Sequence, residues 1–255
     1  MNTLIFPADI LHYYAVYFLF GVVLLSQNTR VLIALIVLLN VCFLVLVFTL
    51  NYDTGWNWQD YTYDDFWTPA GFVRNLIFNG WHPVVPWLGF FLFGIILSRM
   101  ELGAGRVQMS LAGIGAMVLV GTSVISSSLT GLVDPELAPL IATLPIPPGP
   151  LFTIVGVGAA CVLVGLGLWT IDRIGTRGVA GVLVAAGRQS LTLYLAHIII
   201  GMGVLEGLGL LGGQSATSAA IAALVFCAAA CIYAALWQRV AQRGPLEALM
   251  RRVAG

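Results

Sequence analysis

Long uninterrupted runs of apolar residues, separated by short polar stretches, dominate this chain of 255 residues. Most of the runs approach the ~20 residues that an α-helix needs to cross the hydrocarbon core of a bilayer. Because backbone groups in lipid must form their hydrogen bonds within the segment, such runs are helical. The alternation of polar and apolar residues that marks a membrane β-barrel is absent. The pattern therefore predicts an all-α fold, a polytopic bundle of transmembrane helices.

Seven apolar runs are predicted to span the membrane. They cover about residues 10–25, 31–50, 83–97, 107–129, 151–169, 189–205 and 216–237. A polar, aromatic outer loop at 51–79 follows the second span, and a proline-rich loop, in which no regular helix is expected, follows the fourth. The apolar segment 179–186 is too short to span and predicts a helix at the interface or a bend into the sixth span. We interpret residues 1–255 as a single transmembrane domain with an inner tail at 238–255.

The distribution of charge orients the predicted bundle. All of the basic residues are arginines, and every one except Arg74 falls on the same side of the seven-span arrangement. The loops on the opposite side carry acidic residues, namely Asp53, Asp60, Asp64, Asp65, Asp134, Glu136 and Glu206. Cytoplasmic loops are enriched in arginine and lysine, so the N-terminus is predicted outside and the C-terminus inside. The segment before the first span has no positively charged export signal. We therefore expect either a reverse anchor or the remainder of a longer protein.

Composition excludes a soluble domain. Hydrophobic residues make up 60% of the chain and charged residues 9%, whereas a soluble domain has about a quarter charged residues and roughly half apolar ones. The predicted partner is the lipid bilayer, and the predicted location is the cell membrane, specifically a bacterial inner membrane. No basic stripe of the kind that binds nucleic acid is present. Cys227 and Cys231 lie one helical turn apart without a second pair, so neither a disulfide nor a metal site is expected.

His197 is the ionisable residue closest to the middle of a predicted span. It lies about eight residues into the sixth span, and Tyr194 lies on the same helical face three residues earlier. Ionisable groups inside a membrane are costly and mark functional sites. His197 is therefore either a neutral, hydrogen-bonded core residue or a proton-transfer group. The sequence leaves both interpretations open.

Four further ionisable residues occur at the outer ends of predicted spans. Asp9 and His12 are three residues apart, a spacing at which a carboxylate can orient an imidazole as a general base. Alternatively, Asp9 caps the first helix while His12 faces the lipid headgroups. His82 opens the third span, and Glu206 ends the sixth. We expect Asp9, His12, His82 and Glu206 to face one outward cavity if the helices pack as a bundle.

Aromatic residues crowd the outer loop at 51–79, and arginines flank the inner ends of spans. The aromatic residues either form a belt at the outer leaflet or provide a stacking platform for a sugar-like acceptor. On the inner side, Arg188 precedes the sixth span and Arg99 closes the third. Arginine suits bidentate contacts to phosphate, but its commonest role at such positions is to set topology.

Several segments together resemble a known family. They are residues 8–17 (ADILHYYAVY), residues 79–89 (NGWHPVVPWLG) with Gly94 and Arg99, residues 187–197 (GRQSLTLYLAH), and residues 244–247 (GPLE). This chain is similar in these segments to YeiB-like membrane proteins, which end in a domain of unknown function. The resemblance keeps its order along essentially the whole chain. That family is allied with the catalytic domain of heparan-alpha-glucosaminide N-acetyltransferase.

The resemblance implies acyl transfer from an inner acyl-CoA-type donor to a polar acceptor reached from outside. No bound cofactor is expected, and acyl-CoA would be a co-substrate. Substrate contacts are expected at Arg188 and Arg99 for the donor and at Trp81, Tyr194 and Glu206 for the rest of the site. The candidate catalytic residues are His197, His82, His12 and Asp9, which are selected from their positions in the sequence and not from a family motif, and no metal ligand is expected.

One departure from the family pattern matters. Full-length relatives begin with further helices that bear an Asp-x-x-Arg-Gly-type motif, and the acetyltransferase branch takes its catalytic histidine from the loop that follows it. Nothing in residues 1–28 matches this motif. We therefore expect either a member shortened at its N-terminus or one that has lost the chemistry. A proton-coupled transporter or flippase for a small polar or lipid-linked substrate is the alternative function, and a non-catalytic membrane subunit is a third.

Overall fold

The computed structural model of this chain describes residues 8–210 and 212–254, and helices make up most of the described chain. A two-stranded antiparallel hairpin, β1 (Trp56–Asn57) and β2 (Thr62–Tyr63), forms the one sheet among these residues. The all-α prediction is confirmed. Residues 1–7, on which the expectation about the export signal rests, lie outside the described residues, as does Gly255 at the end of the predicted inner tail.

Each of the seven predicted spans coincides with a helical segment. Five such segments are long and apolar enough to cross a membrane: Thr29–Thr49, Gly105–Thr130, Pro150–Ile174, Ser190–Gly207 and Ala216–Trp237. The first predicted span is the helix Leu11–Leu24, whose 14 residues fall short of the ~20 needed to cross straight. The third predicted span belongs to a bent pair of helices and would raise the number of spans to six. The protein is therefore a polytopic, membrane-embedded helical protein.

The chain divides into two compact units, and the boundary falls after Trp169. The helices of the first unit (Pro7–Trp169) are α1 (Leu11–Leu24), α2 (Thr29–Thr49), α3 (Pro69–Arg74), α4 (Val84–Leu97), α5 (Gly105–Thr130), α6 (Ala138–Ile141) and α7 (Pro150–Ile174), whose end enters the second unit. The helices of the second unit (Thr170–Gly255) are α8 (Val179–Gly187), α9 (Ser190–Ala196), α10 (Gly203–Gly207), α11 (Ala216–Trp237) and α12 (Pro245–Ala254).

The end of the predicted outer loop is helical, contrary to the sequence interpretation. α3 continues directly into a π-helical turn, Asn75–Asn79, and this segment meets α4 at a bend of 50°. The Thr68 side chain starts α3 by accepting a hydrogen bond from the Gly71 N–H at 3.0 Å, and Pro69 occupies a first-turn position. These are local capping signals, which a search for apolar runs does not detect.

A buried cluster joins the first, second and fourth helices of the first unit. Tyr13 and Tyr17 from α1 pack with Leu32 from α2 and with Leu88 and Leu92 from α4. All five side chains are almost completely buried. α1 is thus anchored by two tyrosines, whose hydroxyl groups need hydrogen-bond partners in this apolar surrounding.

Helices α5 and α7 approach each other closely at glycines. A Cβ atom added at Gly165 would lie 2.5 Å from the carbonyl oxygen of Gln108, and one added at Gly158 would lie 2.9 Å from the carbonyl oxygen of Gly115. Small residues let membrane helices pack backbone against backbone. At these points no side chain larger than hydrogen fits without separating the two helices.

Replacing Gly165 with alanine is expected to destabilise the protein by about 1–3 kcal/mol, because overpacking forces the helices apart. Gly167 is the matched control, since it lies in the same helix and an added Cβ there meets nothing within 4 Å. Gly167→Ala is expected to be neutral or to stabilise by about 0.5–1 kcal/mol. Denaturant unfolding of the purified variants in micelles measures both changes. Equal effects at the two positions would contradict the close contact.

The second unit is held together by packing of α8 on α11 and of α9 on α12. Gln189, which is buried between α8 and α9, donates hydrogen bonds to the carbonyl oxygens of Ala185 at 3.3 Å and Ala234 at 3.1 Å. The short apolar segment predicted as an interface helix is α8, and its position relative to the bilayer stays a prediction. The predicted inner tail contains α12, a strongly amphipathic helix with Leu249 and Val253 exposed.

Candidate functional site

The pair Asp9 and His12 lies at the start of α1 in the first unit. Asp9 is 4% exposed, and one of its carboxylate oxygens lies 3.9 Å from Nδ1 of His12. That separation is within ion-pair range but too long for a hydrogen bond. Ile10 is the residue before α1 and already has helical dihedral angles, and the role of Asp9 as the helix cap stays a prediction.

His82 joins the same region through the tyrosines of α1. The Tyr13 ring lies 3.8 Å from the His12 ring and 5.8 Å from the His82 ring, measured between centroids, so one tyrosine contacts both imidazoles. The Tyr17 hydroxyl donates to the backbone oxygen of His82 at 2.6 Å. Asp9, His12 and His82 are therefore brought together, as the sequence suggested. Glu206 is an exposed residue of α10 in the second unit, and its participation stays a prediction.

Aromatic residues from the outer loop cover His12. Phe66 contacts the imidazole edge-on with a centroid separation of 5.8 Å, and the Phe72 ring lies 6.3 Å away. Both ring nitrogens of His12 are buried, and neither forms a hydrogen bond with a described residue. An acceptor can therefore reach the imidazole only after these aromatic side chains move. Nδ1 of His82 is likewise buried without a hydrogen-bond partner among the described residues.

Two buried asparagines support this region, and sequence reasoning missed both. The Tyr13 hydroxyl donates to Oδ1 of Asn75 at 2.6 Å. Asn79, which is completely buried, accepts from the Tyr63 hydroxyl at 2.8 Å and donates from Nδ2 to the carbonyl oxygens of Tyr52 at 2.7 Å and Thr54 at 2.9 Å. The signal in the sequence is a pair of asparagines that flank three apolar residues, Leu76 to Phe78.

The hydroxyl of Tyr63 links Asn79 to an ion pair in the outer loop. Burial raises the pKa of Tyr63, although the hydrogen bond from Arg74 opposes that shift. The phenol therefore stays protonated and donates to Asn79, while its oxygen accepts from Nε of Arg74 at 2.8 Å. Arg74 also pairs with the Asp65 carboxylate. This arrangement gives the one arginine predicted on the outer side a structural role within the loop.

Trp81 belongs to a group of rings in the outer loop. Its edge meets the Trp56 ring at a centroid separation of 5.2 Å, and Trp56 in turn stacks on Trp58 at 4.5 Å. Nε1 of Trp56 donates to the backbone oxygen of Asn79 at 2.6 Å, whereas the buried Nε1 of Trp81 has no hydrogen-bond partner among the described residues. The belt and the stacking platform both remain compatible with this geometry.

Arg99 is used within the fold of the first unit. Its guanidinium donates to the carbonyl oxygens of Leu25 at 3.0 Å and Gln27 at 2.7 Å, and to the Thr29 hydroxyl at 3.2 Å. These contacts fasten the end of α4 to the turn between α1 and α2, where carbonyl groups lack helical partners. A role of Arg99 in donor binding stays a prediction, and it would compete with these hydrogen bonds.

His197 lies in the second unit, at the start of a π-helical segment, His197–Met202. Segments of this kind frequently occur at functional sites. The imidazole meets the Phe226 ring edge-on at 5.3 Å and lines a cavity of about 530 Å³ against α11. The other lining residues are mainly apolar, with Gln214 and Ser218 as the polar exceptions. Tyr194 is half-buried in α9, one turn before His197.

Arg188 lines a second cavity of the second unit, which we name the arginine cleft. The cleft has a volume of about 480 Å³ and is lined by Arg188, Gln242, Arg243, Glu247 and Arg251. Sequence reasoning selected Arg188 as a candidate phosphate contact but assigned Arg243 and Arg251 only a topological role. The structure brings these three arginines to one cavity.

Glu247 fixes α12 to the start of α9. Its carboxylate accepts hydrogen bonds from the backbone N–H groups of Leu191 at 2.8 Å and Thr192 at 3.1 Å, and from the Thr192 hydroxyl at 2.6 Å. Burial raises the pKa of Glu247, but these hydrogen bonds outweigh it, and the pKa lies below its ordinary value of 4.5. The charged carboxylate thus satisfies N–H groups that helix geometry leaves without partners.

The bond between Glu247 and α9 predicts a pH-dependent contribution to stability. A depressed pKa means that the contribution is present above pH 4.5 and is lost as the pH falls through the lower folded value. Glu247→Gln is therefore expected to lower the thermal midpoint at neutral pH and to have little effect well below pH 4.5. Thermal unfolding of both proteins across this range measures the difference. A difference that persists unchanged in acid would contradict the charged interaction.

Comparison with known proteins gives one family and no individual relative. The profile of a family described as "Protein of unknown function (DUF418)" matches residues 105–255, which is more than half of the chain. No curated protein and no solved structure matches this sequence. The matched region runs from α5 to the C-terminus and includes His197 and the arginine cleft. Asp9, His12 and His82 lie before it.

Proposed function

We propose that this chain, which belongs to the DUF418 family of proteins of unknown function, is a membrane-bound acyltransferase. The family match confirms the resemblance of its C-terminal part to the corresponding domain of YeiB-like proteins, and the apolar helices make it a membrane protein. The activity is an inference from the resemblance and from the chemistry of the residues described above. We place the protein in a bacterial inner membrane, with its N-terminus outside and its C-terminus inside.

The observation that carries the proposal is the buried carboxylate of Asp9 at 3.9 Å from the imidazole of His12. A carboxylate beside an imidazole stabilises the imidazolium that forms when the ring accepts a proton. Neither nitrogen of His12 forms a hydrogen bond with a described residue, so one of them can take up the proton of the substrate once the aromatic cover moves. His82 belongs to the same region, since its ring contacts Tyr13 at a centroid separation of 5.8 Å.

The proposed reaction transfers an acyl group from a thioester of the coenzyme A type to an amine or hydroxyl of the acceptor. His12 removes the proton of the acceptor group, which attacks the thioester carbonyl and forms a tetrahedral intermediate. The carbon–sulfur bond then breaks, and the proton is passed to the thiolate that leaves. The products are the acylated acceptor and the free thiol, so the balance needs no oxidant and no metal.

The direct test is acyl transfer across a bilayer. Purified protein is reconstituted into liposomes, acetyl-CoA labelled in the acetyl group is trapped on one side, and an amino sugar, which offers both amine and hydroxyl groups, is added on the other. Label bound covalently to the sugar in protein-containing liposomes, and not in empty ones, is the expected result. Absence of acylated product from correctly folded protein would overturn the proposal. Uptake of unmodified sugar that depends on a proton gradient would identify a transporter instead.

A further inference from the structure

We infer that the arginine cleft of the second unit binds a phosphate-bearing ligand. Three guanidinium groups line one cavity, and none of them forms an ion pair or a side-chain hydrogen bond with a described residue. All three arginines are exposed to solvent at this cleft, so an anion can reach them, and its binding reduces the repulsion between their charges. The planar guanidinium fork matches the oxygen atoms of phosphate, which makes phosphate the best-fitting anion.

The one acidic residue of the cleft does not neutralise these arginines. The carboxylate of Glu247 is engaged by two backbone N–H groups and by the Thr192 hydroxyl. The carboxylate therefore caps the start of α9. The cleft has an excess of positive charge, because its charged lining residues are Arg188, Arg243, Glu247 and Arg251. Gln242 adds an uncharged amide to the same wall, which can donate a further hydrogen bond.

The fold positions the three arginines through short, local connections. Arg188 is the first residue after α8, two residues before α9 begins. Arg251 lies one turn after Glu247 on the same face of α12. The hydrogen bonds that the Glu247 carboxylate accepts from Leu191 and Thr192 hold this face against α9. Arg243 precedes α12, and its backbone oxygen accepts a hydrogen bond from Nε1 of Trp237 at 2.8 Å.

Two sources could supply the phosphate, and both share this chemistry. α12 is amphipathic, and Leu249, Met250 and Val253 expose apolar side chains beside the basic ones. A helix of this type lies in the membrane interface, within reach of anionic lipid headgroups. Soluble coenzyme A also carries phosphates, and in that case the inference rests on the proposed function and identifies the donor subsite. In the lipid case it is independent of that function.

The experiment measures binding to the full-length protein in a non-ionic detergent by isothermal titration calorimetry. One arm titrates coenzyme A, and the other titrates a short-chain phosphatidylglycerol, with phosphatidylcholine of the same chain length as reference. Arg188→Gln and Arg251→Gln are each expected to weaken binding by about tenfold or more, since each removes charge-assisted hydrogen bonds. Arg252→Gln is the matched control, because Arg252 is the adjacent arginine of α12 and does not line the cleft.

The outcomes separate the sources and the two proposals. Saturable binding of coenzyme A that the cleft variants weaken and the control spares supports a donor subsite. The same pattern with phosphatidylglycerol, and not with phosphatidylcholine, supports a lipid headgroup site. Binding of neither probe, or equal weakening by all variants, overturns the inference. Binding to the cleft by a protein that has no acyl transfer activity would overturn the proposed function, but it would still support the cleft as a phosphate-binding site.

Discussion

Substitution of His12 with glutamine is expected to lower the rate of acyl transfer by about 10²–10⁴-fold, the range that general base catalysis contributes. Glutamine keeps a polar side chain but cannot accept a proton at neutral pH. Asp9→Asn is expected to cause a large part of the same loss, because the amide cannot stabilise the imidazolium through its charge. Transfer of label to the amino sugar in reconstituted liposomes measures both rates.

Two further histidine variants make this prediction specific. His82→Gln and His197→Gln are expected to retain most of the activity, because the proposed base is His12, the imidazole that lies 3.9 Å from the Asp9 carboxylate. The His12 and Asp9 variants are compared with them at equal amounts of folded protein. If His197→Gln abolishes transfer while His12→Gln preserves it, the base belongs to the second unit, and the role assigned to Asp9 and His12 is wrong.

The helices that cross the membrane could be predicted from the sequence because their signal is local and strong. The residues of a run such as 31–50 are enough to predict a helix, because every backbone group in lipid must form its hydrogen bond within the run. The helical segment Pro69–Asn79 gave no such signal. It starts with a cap at Thr68 and ends with two buried asparagines, and its polar residues are satisfied by contacts with α1 and the hairpin. Hydropathy cannot report contacts of this kind.

The two candidate sites also differ in how far the sequence alone predicts them. Asp9 and His12 are three residues apart, so their proximity could be read from spacing alone. The arginine cleft depends on Glu247 meeting Thr192, 55 residues earlier in the chain. Both residues lie in segments that carried the resemblance to the YeiB-like family, and the structure gives a physical reason for their joint presence. Residues 187–197 contain the start of α9, and residues 244–247 contain Glu247, which caps it.

Arg99 shows how a residue type alone can mislead. Its position at the inner end of a predicted span suggested a phosphate contact, as for Arg188. The structure gives Arg99 three acceptors within the protein, including the carbonyl oxygens at the end of α1. The guanidinium of Arg188 has no acceptor among the described residues. The distinction between a structural arginine and a ligand-binding one therefore lies in the surrounding acceptors, which the sequence does not reveal.

Asn79→Ala is expected to destabilise the first unit by about 3 kcal/mol or more, because it removes the donor to two carbonyl oxygens and the acceptor of the Tyr63 hydroxyl, at ~1–3 kcal/mol for each buried group. Asn79→Asp is the sharper variant. It keeps the size and the acceptor for Tyr63 but turns an oxygen towards the carbonyls of Tyr52 and Thr54. Asn57→Ala is the control, since its hydrogen bond to Asp60 is exposed. Denaturant unfolding in micelles measures all three.

The outcome bears on the site as well as on stability. Asn79 fastens the loop segment Tyr52–Thr54 and the hairpin residue Tyr63, and the same loop carries Phe66 over His12. Loss of these bonds should therefore loosen the cover of the imidazole, which increased hydrogen exchange of the loop amides would reveal. If Asn79→Asp is as stable as the parent protein, the amide donors are dispensable. The loop would then be held by its aromatic contacts, and access to His12 would be controlled by ring packing alone.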